Sequence, residues 1–281
     1  MRSAQSHLSG VGGVRIFWQA WLPDADPRAI VAISHGAGEH SGRYEHVATR
    51  LVADGCAVYA IDHRGHGRSE GPRALIDRLD NAAADLDALI VHATGQHPAT
   101  PMFVLAHSMG ATIALRYCAS HEDRLAGLIL SGALAAIGSA PAAQRIVAGI
   151  LSRLAPGLGL ITVDPALVSR DPAVVSAYTE DPLVHHGKLP ARTVTEFAAA
   201  IDSFPDEVRT IMIPVLIMYG TADTLCPTQG SVMLDERLGS TDKTLKPYEG
   251  LYHEILNEPE QDAVLDDICD WIAAHVGVRA G

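Results

Sequence analysis

Cysteine is scarce in this sequence: Cys56, Cys118, Cys226 and Cys269 are the only four in 281 residues. They stand far apart and form no C-x-x-C pair, so neither a disulfide framework nor a thiolate zinc or redox site is expected. Free thiols in a reducing cytoplasm fit this usage. Basic residues are also in short supply, 21 Lys and Arg against 33 Asp and Glu, for a formal charge of −12. That leaves no basic stripe with interleaved aromatics, which argues against a nucleic-acid partner, and an anionic membrane would repel the chain as a whole. The opening "MRSAQSHLSGVGGVRIFW" lacks the continuous apolar region and small-residue cleavage site of a signal peptide. A cytoplasmic protein is expected, at most peripheral to a membrane. Long apolar runs are missing with one exception, the twenty uncharged residues between Arg124 and Arg145. Glycines, serines and Pro141 interrupt that stretch, so it reads as a buried strand and a small-residue loop rather than a membrane span.

What remains is long enough to bury a large core, and one α/β domain with an insertion is preferred over two small domains. Apolar, β-branched runs recur at "GVRIFWQAWL", "AIVAISHG", "CAVYAIDHRG", "MFVLAHSMG", "LAGLILSGA" and "VLIMYGTAD", most of them followed by a glycine or polar turn. Helix-like stretches alternate with them, which predicts a mostly parallel sheet covered by helices on both faces. "RYEHVATRLVADG" is read as a helix with a glycine stop, and "NAAADLDALIVHATG" as one that starts at an Asn cap and also ends in glycine. The rhythm fails between residues 136 and 210. That segment carries helix-prone pieces with no clear strand and is expected to be an insertion over the sheet edge.

In such a sheet the chemistry gathers at the carboxyl ends of the strands. "VLAHSMGAT" (104–112) nearly fits the G-x-S-x-G elbow, with Ala106 in place of the first glycine, and makes Ser108 a candidate nucleophile. A serine in an ordinary tight turn is the alternative until partners are found. Three other strand ends bear on the choice. "SHGAGEHSGRY" (34–44) is a glycine-rich turn whose Ala37 N–H, paired with that of Met109, would form an oxyanion hole. "YGTADTLCP" (219–227) carries Asp223, and "PYEGLYHEILNE" (247–258) places His253 at the start of the last helix-like segment. Ser108, Asp223 and His253 follow the chain order of nucleophile, acid and base that an elbow of this kind uses. Other histidines offer no metal site. His63 and His66 sit among arginines in a structured turn, His185 and His186 form a lone pair, and "HEILNE" is not H-E-x-x-H.

Taken together, "HGAGEHSGRY", "IDHRGHGRSEGPR", "AHSMG", "YGTADTLCP" and "YHEILNE" resemble the monoacylglycerol lipase and lysophospholipase branch of the α/β-hydrolases, bacterial members included. The resemblance implies an α/β-hydrolase core over 1–135 and 211–281, with residues 136–210 as a helical cap whose apolar face admits an acyl chain. It implies a serine esterase with Ser108 as nucleophile, His253 as base and Asp223 as its orienting acid, acting on a small lipid ester without metal or organic cofactor. Glu39, Arg43 and His107 are then expected near the polar glycerol end; for Arg43 a salt-bridged loop support is the equal alternative. Ile150 and Leu154 are expected to touch the acyl chain. They belong to a stripe, Ile146, Val147, Ile150, Leu151, Leu154 and Leu158, which is either buried core or a face for transient contact with a lipid surface. Cys226, three residues after Asp223, is either a packed small side chain or a site where thiol reagents displace the acid's loop. Ala106 and Ala111 depart from the family's glycines and leave the acyl preference open. A lysophospholipase, a broader carboxylesterase, an acyltransferase using the same three residues, or a non-catalytic hydrolase-like receptor remain as alternatives.

Overall fold

The computed structural model of the chain describes residues 1–137 and 142–277. Its strands are β1 (Arg2–Ser9), β2 (Arg15–Leu22), β3 (Ala29–Ser34), β4 (Cys56–Ile61), β5 (Met102–His107), β6 (Gly127–Ser131), β7 (Gly159–Ile161), β8 (Leu189–Pro190), β9 (Val215–Gly220) and β10 (Lys243–Tyr248). Its α-helices are α1 (Glu45–Ala53), α2 (Leu79–Gln96), α3 (Met109–His121), α4 (Ala142–Leu154), α5 (Pro172–Glu180), α6 (Ala191–Glu207), α7 (Gln229–Arg237) and α8 (Gln261–His275). The main sheet runs in the order β1-β2-β4-β3-β5-β6-β9-β10, parallel from β4 to β10, with β1 and β2 antiparallel at one edge. This is the α/β-hydrolase fold.

Strands β3, β4 and β5 are buried at every residue, because both faces of the sheet are covered. Successive side chains point to opposite faces, so each strand feeds two cores at once. Ile30, Ala32, Tyr59, Ile61 and Val104 pack against α2, α3 and α6. Val31, Ile33, Val58, Phe103 and Leu105 pack against α1 and α8. The strand sequences therefore read as unbroken apolar runs.

Neither sheet edge is among the apolar runs that mark the other strands. β1 is exposed along nearly its whole length and has no apolar alternation; its backbone ladder to β2, from Arg2 opposite Leu22 to Ser9 opposite Arg15, holds it. β10, "KTLKPY", is polar and contains a proline, which only an edge strand tolerates well. Two further expectations need correction. Asn81 is not the cap of α2 but lies in its first turn, where its amide donates to Asp77 Oδ2 at 2.7 Å. Gly95 lies inside the last turn of that helix, which runs on to Gln96.

Between β6 and β9 the chain forms α4, α5 and α6 together with the short antiparallel pair β7–β8, a strand element that periodicity did not reveal. Residues 138–141 of that segment lie outside the described residues. α6 is fastened to the main core: Phe197, Ile201 and Phe204 join the apolar cluster of the α2–α3 face. Thr193 Oγ1 donates to Ala74 O at 2.8 Å and accepts from Ile76 N at 2.9 Å. Among the described residues no helix is long and apolar enough to cross a membrane.

Candidate active site

Ser108 sits in the turn from β5 into α3 with φ 53° and ψ −117°, a region that a side-chain-bearing residue enters only under strain. Surrounding bonds enforce the conformation. Ser108 N–H donates to Ser131 O at 3.0 Å, and the Ser108 carbonyl accepts from Ala111 N and Leu134 N. Gly110 is indispensable here, since a Cβ on it would stand 2.1 Å from Ser34 O. Ala106 is harmless: its methyl is fully buried in the α2–α3 core, so the elbow tolerates alanine at the first glycine position of its motif.

Asp223 lies three residues beyond β9. Its Oδ1 accepts from the Leu225 and Cys226 N–H groups at 2.9 and 3.0 Å, which aims Oδ2 at His253. His253 Nδ1–H donates to that oxygen at 2.7 Å. The Asp223 and His253 side chains are 1% and 7% exposed, so the ion-dipole pair is shielded from water and retains its strength. His253 stands in the loop after β10, two residues before a 3-10 turn at Ile255–Asn257, and the α-helix α8 begins only at Gln261. The fixed Nδ1 bond leaves Nε2 as the free acceptor of the ring, and both His253 and Ser108 line one cavity of about 1080 Å³. Ser108 Oγ also touches Cys226 Sγ at 3.8 Å. Cys226 is buried, and burial pushes its thiol above the usual range, which favours a packed small side chain over a reactive thiol.

The turn after β3 faces the elbow across the same cavity, which Gly36, Ala37 and Met109 line. Among the described residues, neither Ala37 N–H nor Met109 N–H has a backbone acceptor. A carboxylate holds the turn: Glu39 Oε1 accepts from Gly36 N at 2.6 Å and from Tyr44 Oη at 2.7 Å. Three histidine rings, His35, His63 and His66, pack beneath it with centroids 4.6 and 5.4 Å from His35. His35 Nδ1–H donates to Gly36 O and its Nε2 accepts from His63 N–H, so the neutral ring satisfies both neighbours. Burial lowers all three, His66 to about 3, so the cluster is uncharged at neutral pH.

The expected substrate contacts divide. Glu39 and His107 line the cavity. Burial, reinforced by nearby His253, lowers His107 to about 4; its Nδ1–H donates to Ser131 O at 3.0 Å and its ring packs on His253 at 4.6 Å. Arg43 does not line the cavity. Its guanidinium binds Glu39 Oε2 at 2.6 Å and both oxygens of Glu254 at 2.7 Å, so the loop-support alternative is the one the geometry favours. Ile150 and Leu154 are likewise not cavity residues. They are 51% and 81% exposed, alongside Ile146 at 64% and Val147 at 54%; of the stripe, Val147 and Leu151 border the cavity. The stripe read from the sequence is therefore largely exposed, with only part of it on the cavity wall. No sequence pattern marks Tyr178, whereas the charge of Glu254 immediately after His253 in the apolar run "LYHEIL" is a signal that a buried partner must exist.

Residues 25–260 match the family model described as serine aminopeptidase, S33. The chain is 44% identical over 274 residues to a monoacylglycerol lipase of Mycolicibacterium smegmatis, covering 97% of this chain and 98% of that one. It is 34% identical to the human monoglyceride lipase over 271 residues, or 95% and 89% of the two chains. The crystal structure of the Paleococcus ferrophilus monoacylglycerol lipase superposes with a TM-score of 0.82 at 31% identity, over 98% of this chain and all of the other. With the strained elbow, the sheet order and these matches in agreement, the chain belongs to the α/β-hydrolase family, within the serine aminopeptidase S33 group and the branch that holds the bacterial monoacylglycerol lipases.

Proposed function

We propose that the protein hydrolyses the ester of monoacylglycerols to glycerol and a fatty acid, with Ser108 as nucleophile, His253 as general base and Asp223 as the group that orients it. The observation that carries this is one cavity onto which Ser108 opens beside the hydrogen-bonded Asp223–His253 pair, its far wall formed by apolar side chains such as Leu134, Val147, Leu151 and Phe197. The names of the relatives point the same way.

In this mechanism His253 Nε2 removes the hydroxyl proton as Ser108 Oγ attacks the ester carbon, and Asp223 keeps the ring in the Nδ1–H tautomer and stabilises the imidazolium. The Ala37 and Met109 N–H groups receive the oxyanion, each donor lowering the barrier by roughly 3 to 4 kcal/mol in comparable sites. His253 then protonates the leaving alcohol, and water, activated by the same ring, releases the acid. Residues 136–210 serve as a cap over the acyl site. The outward face of α4, Ile146, Ile150 and Leu154, rests transiently on a lipid surface, which gives those exposed apolar side chains a medium other than water.

The test is a substrate profile of the purified protein on mono-, di- and triacylglycerols and on lysophospholipids, alongside Ser108→Ala. Monoacylglycerol turnover that falls by about a millionfold in the variant, as for a comparable triad, at unchanged melting temperature supports the assignment. Substantial residual turnover in a folded variant refutes it.

A further inference from the structure

Around the leaving side of the candidate site the charges do not cancel. Glu39 and Glu254 both line the cavity next to His253, with side chains 3% and 5% exposed. One guanidinium serves both: Arg43 lies behind them with the Tyr178 ring 4.7 Å from its Cζ. The other donors to the two carboxylates are neutral, namely Gly36 N–H, Tyr44 Oη–H and the Asn257 amide at 2.9 Å. His107 does not supply the missing charge, because burial lowers it to about 4. The only other charged groups on the cavity wall, among the described residues, are Arg145 and Asp202, and they are paired with each other. The cluster of Glu39, Glu254 and Arg43 thus carries one net negative charge where little water reaches to screen it.

We propose that Glu39 and Glu254 set leaving-group specificity by charge: the site takes esters of neutral polyols such as glycerol and rejects acylglycerols bearing phosphate on the alcohol side. The inference rests on the function proposed above. The alcohol must receive its proton from His253, so it leaves on the side where His253, Glu254, Glu39 and His107 meet. Carboxylate oxygens only accept hydrogen bonds. Glycerol hydroxyls are donors and complement them, whereas a phosphate presents further acceptors and one to two negative charges. For unit charges about 7 Å apart at an effective dielectric near 20, the repulsion amounts to roughly fiftyfold in kcat/KM.

The experiment compares monooctanoylglycerol with 1-octanoylglycerol 3-phosphate and its phosphocholine ester, all below their micellar concentrations so that no lipid surface intervenes. The expected order is neutral first, phosphocholine next and phosphate last, with the neutral-to-phosphate ratio near fiftyfold. The ratio should widen as the pH rises through about 6, where the phosphate gains its second charge. It should persist in 0.5 M NaCl, because salt screens the field of the whole acidic chain but not a pair buried this deeply. Glu254→Gln and Glu39→Gln should each shrink the ratio at least fivefold whatever they do to turnover of the neutral ester. If neither variant folds, the pH and salt behaviour of the wild type decides. A wild-type ratio below threefold, its collapse in salt, or folded variants with the wild-type ratio would each overturn the proposal. A protein that hydrolyses no octanoyl ester at all would instead overturn the function on which it rests.

Discussion

The loops around Ser108 and helix α4 border the same cavity and are built on opposite principles. Around Ser108 the carboxylates are fully committed. Asp223 accepts three hydrogen bonds, Glu39 accepts three, and Arg43 ties the turn after β3 to the loop after β10 across 211 positions of sequence. On α4, Ile146, Ile150 and Leu154 reach into solvent, and its exposed Arg145 binds Asp202 of α6. A group that must meet a reacting atom within a few tenths of an ångström is over-determined by its surroundings, whereas a surface that only needs to be apolar is left to local helical geometry. Substitutions in the two regions should therefore fail in different ways.

The largest effect is expected on the loop side. Asp223→Asn keeps the shape of the acid and its two backbone acceptor bonds but removes the charge that fixes the His253 tautomer, so kcat should fall by roughly ten thousandfold with little change in KM. Steady-state kinetics on a soluble ester checks this, and a loss below tenfold would make Asp223 a loop cap rather than an orienting group.

Arg43→Met should follow. It strands the Glu39 and Glu254 carboxylates without a cation in a buried place, a loss of about 3 to 5 kcal/mol of stability by urea unfolding. Glu39 shows the dependence. Burial alone would raise its carboxyl, yet Arg43 and the neighbouring donors hold it below the ordinary carboxylate range. A variant as stable as the wild type would mean that water reaches these groups freely.

Acid should distinguish the regions next. His66 and His107 bind a proton in the unfolded chain near pH 6.5 but in the folded protein only near 3 and 4, because burial disfavours the charged ring. The unfolded state thus holds more protons in that window, and stability must fall as the pH drops from 6.5 towards 4, by up to about 1.4 kcal/mol per pH unit for each ring. Unfolding curves across this range should be shallower in pH for His107→Gln. An unchanged slope would show that the ring is hydrated in the native state.

The smallest effect belongs to α4. Leu154→Glu should lower turnover of vesicle-borne monoacylglycerol by about tenfold while turnover of a soluble short-chain ester and the melting temperature stay within error, since an 81% exposed side chain loses no packing. Parallel loss of both activities together with the melting temperature would make this face part of the core and dissolve the contrast.

The sequence by itself determined whatever depends on local chemistry. The buried strands are legible because a sheet covered on both faces needs apolar side chains at every position, and "AIVAIS", "CAVYAI" and "MFVLAH" supply them. The elbow is legible because its strained turn needs small neighbours, and the order of Ser108, Asp223 and His253 follows from the topology that such a turn begins. Tertiary structure alone decided what depends on partners remote in the chain. Strand β1 has no apolar signal because hydrogen bonds to β2, not side chains, hold it. The stripe on α4 carries no mark of which residues look inward, since that depends on where α6 lies against it. Arg43 is an exposed-looking cation in "HSGRY" until Glu254 arrives from the far end of the chain, and only then do two carboxylates and one guanidinium become a buried, uncompensated charge beside the base.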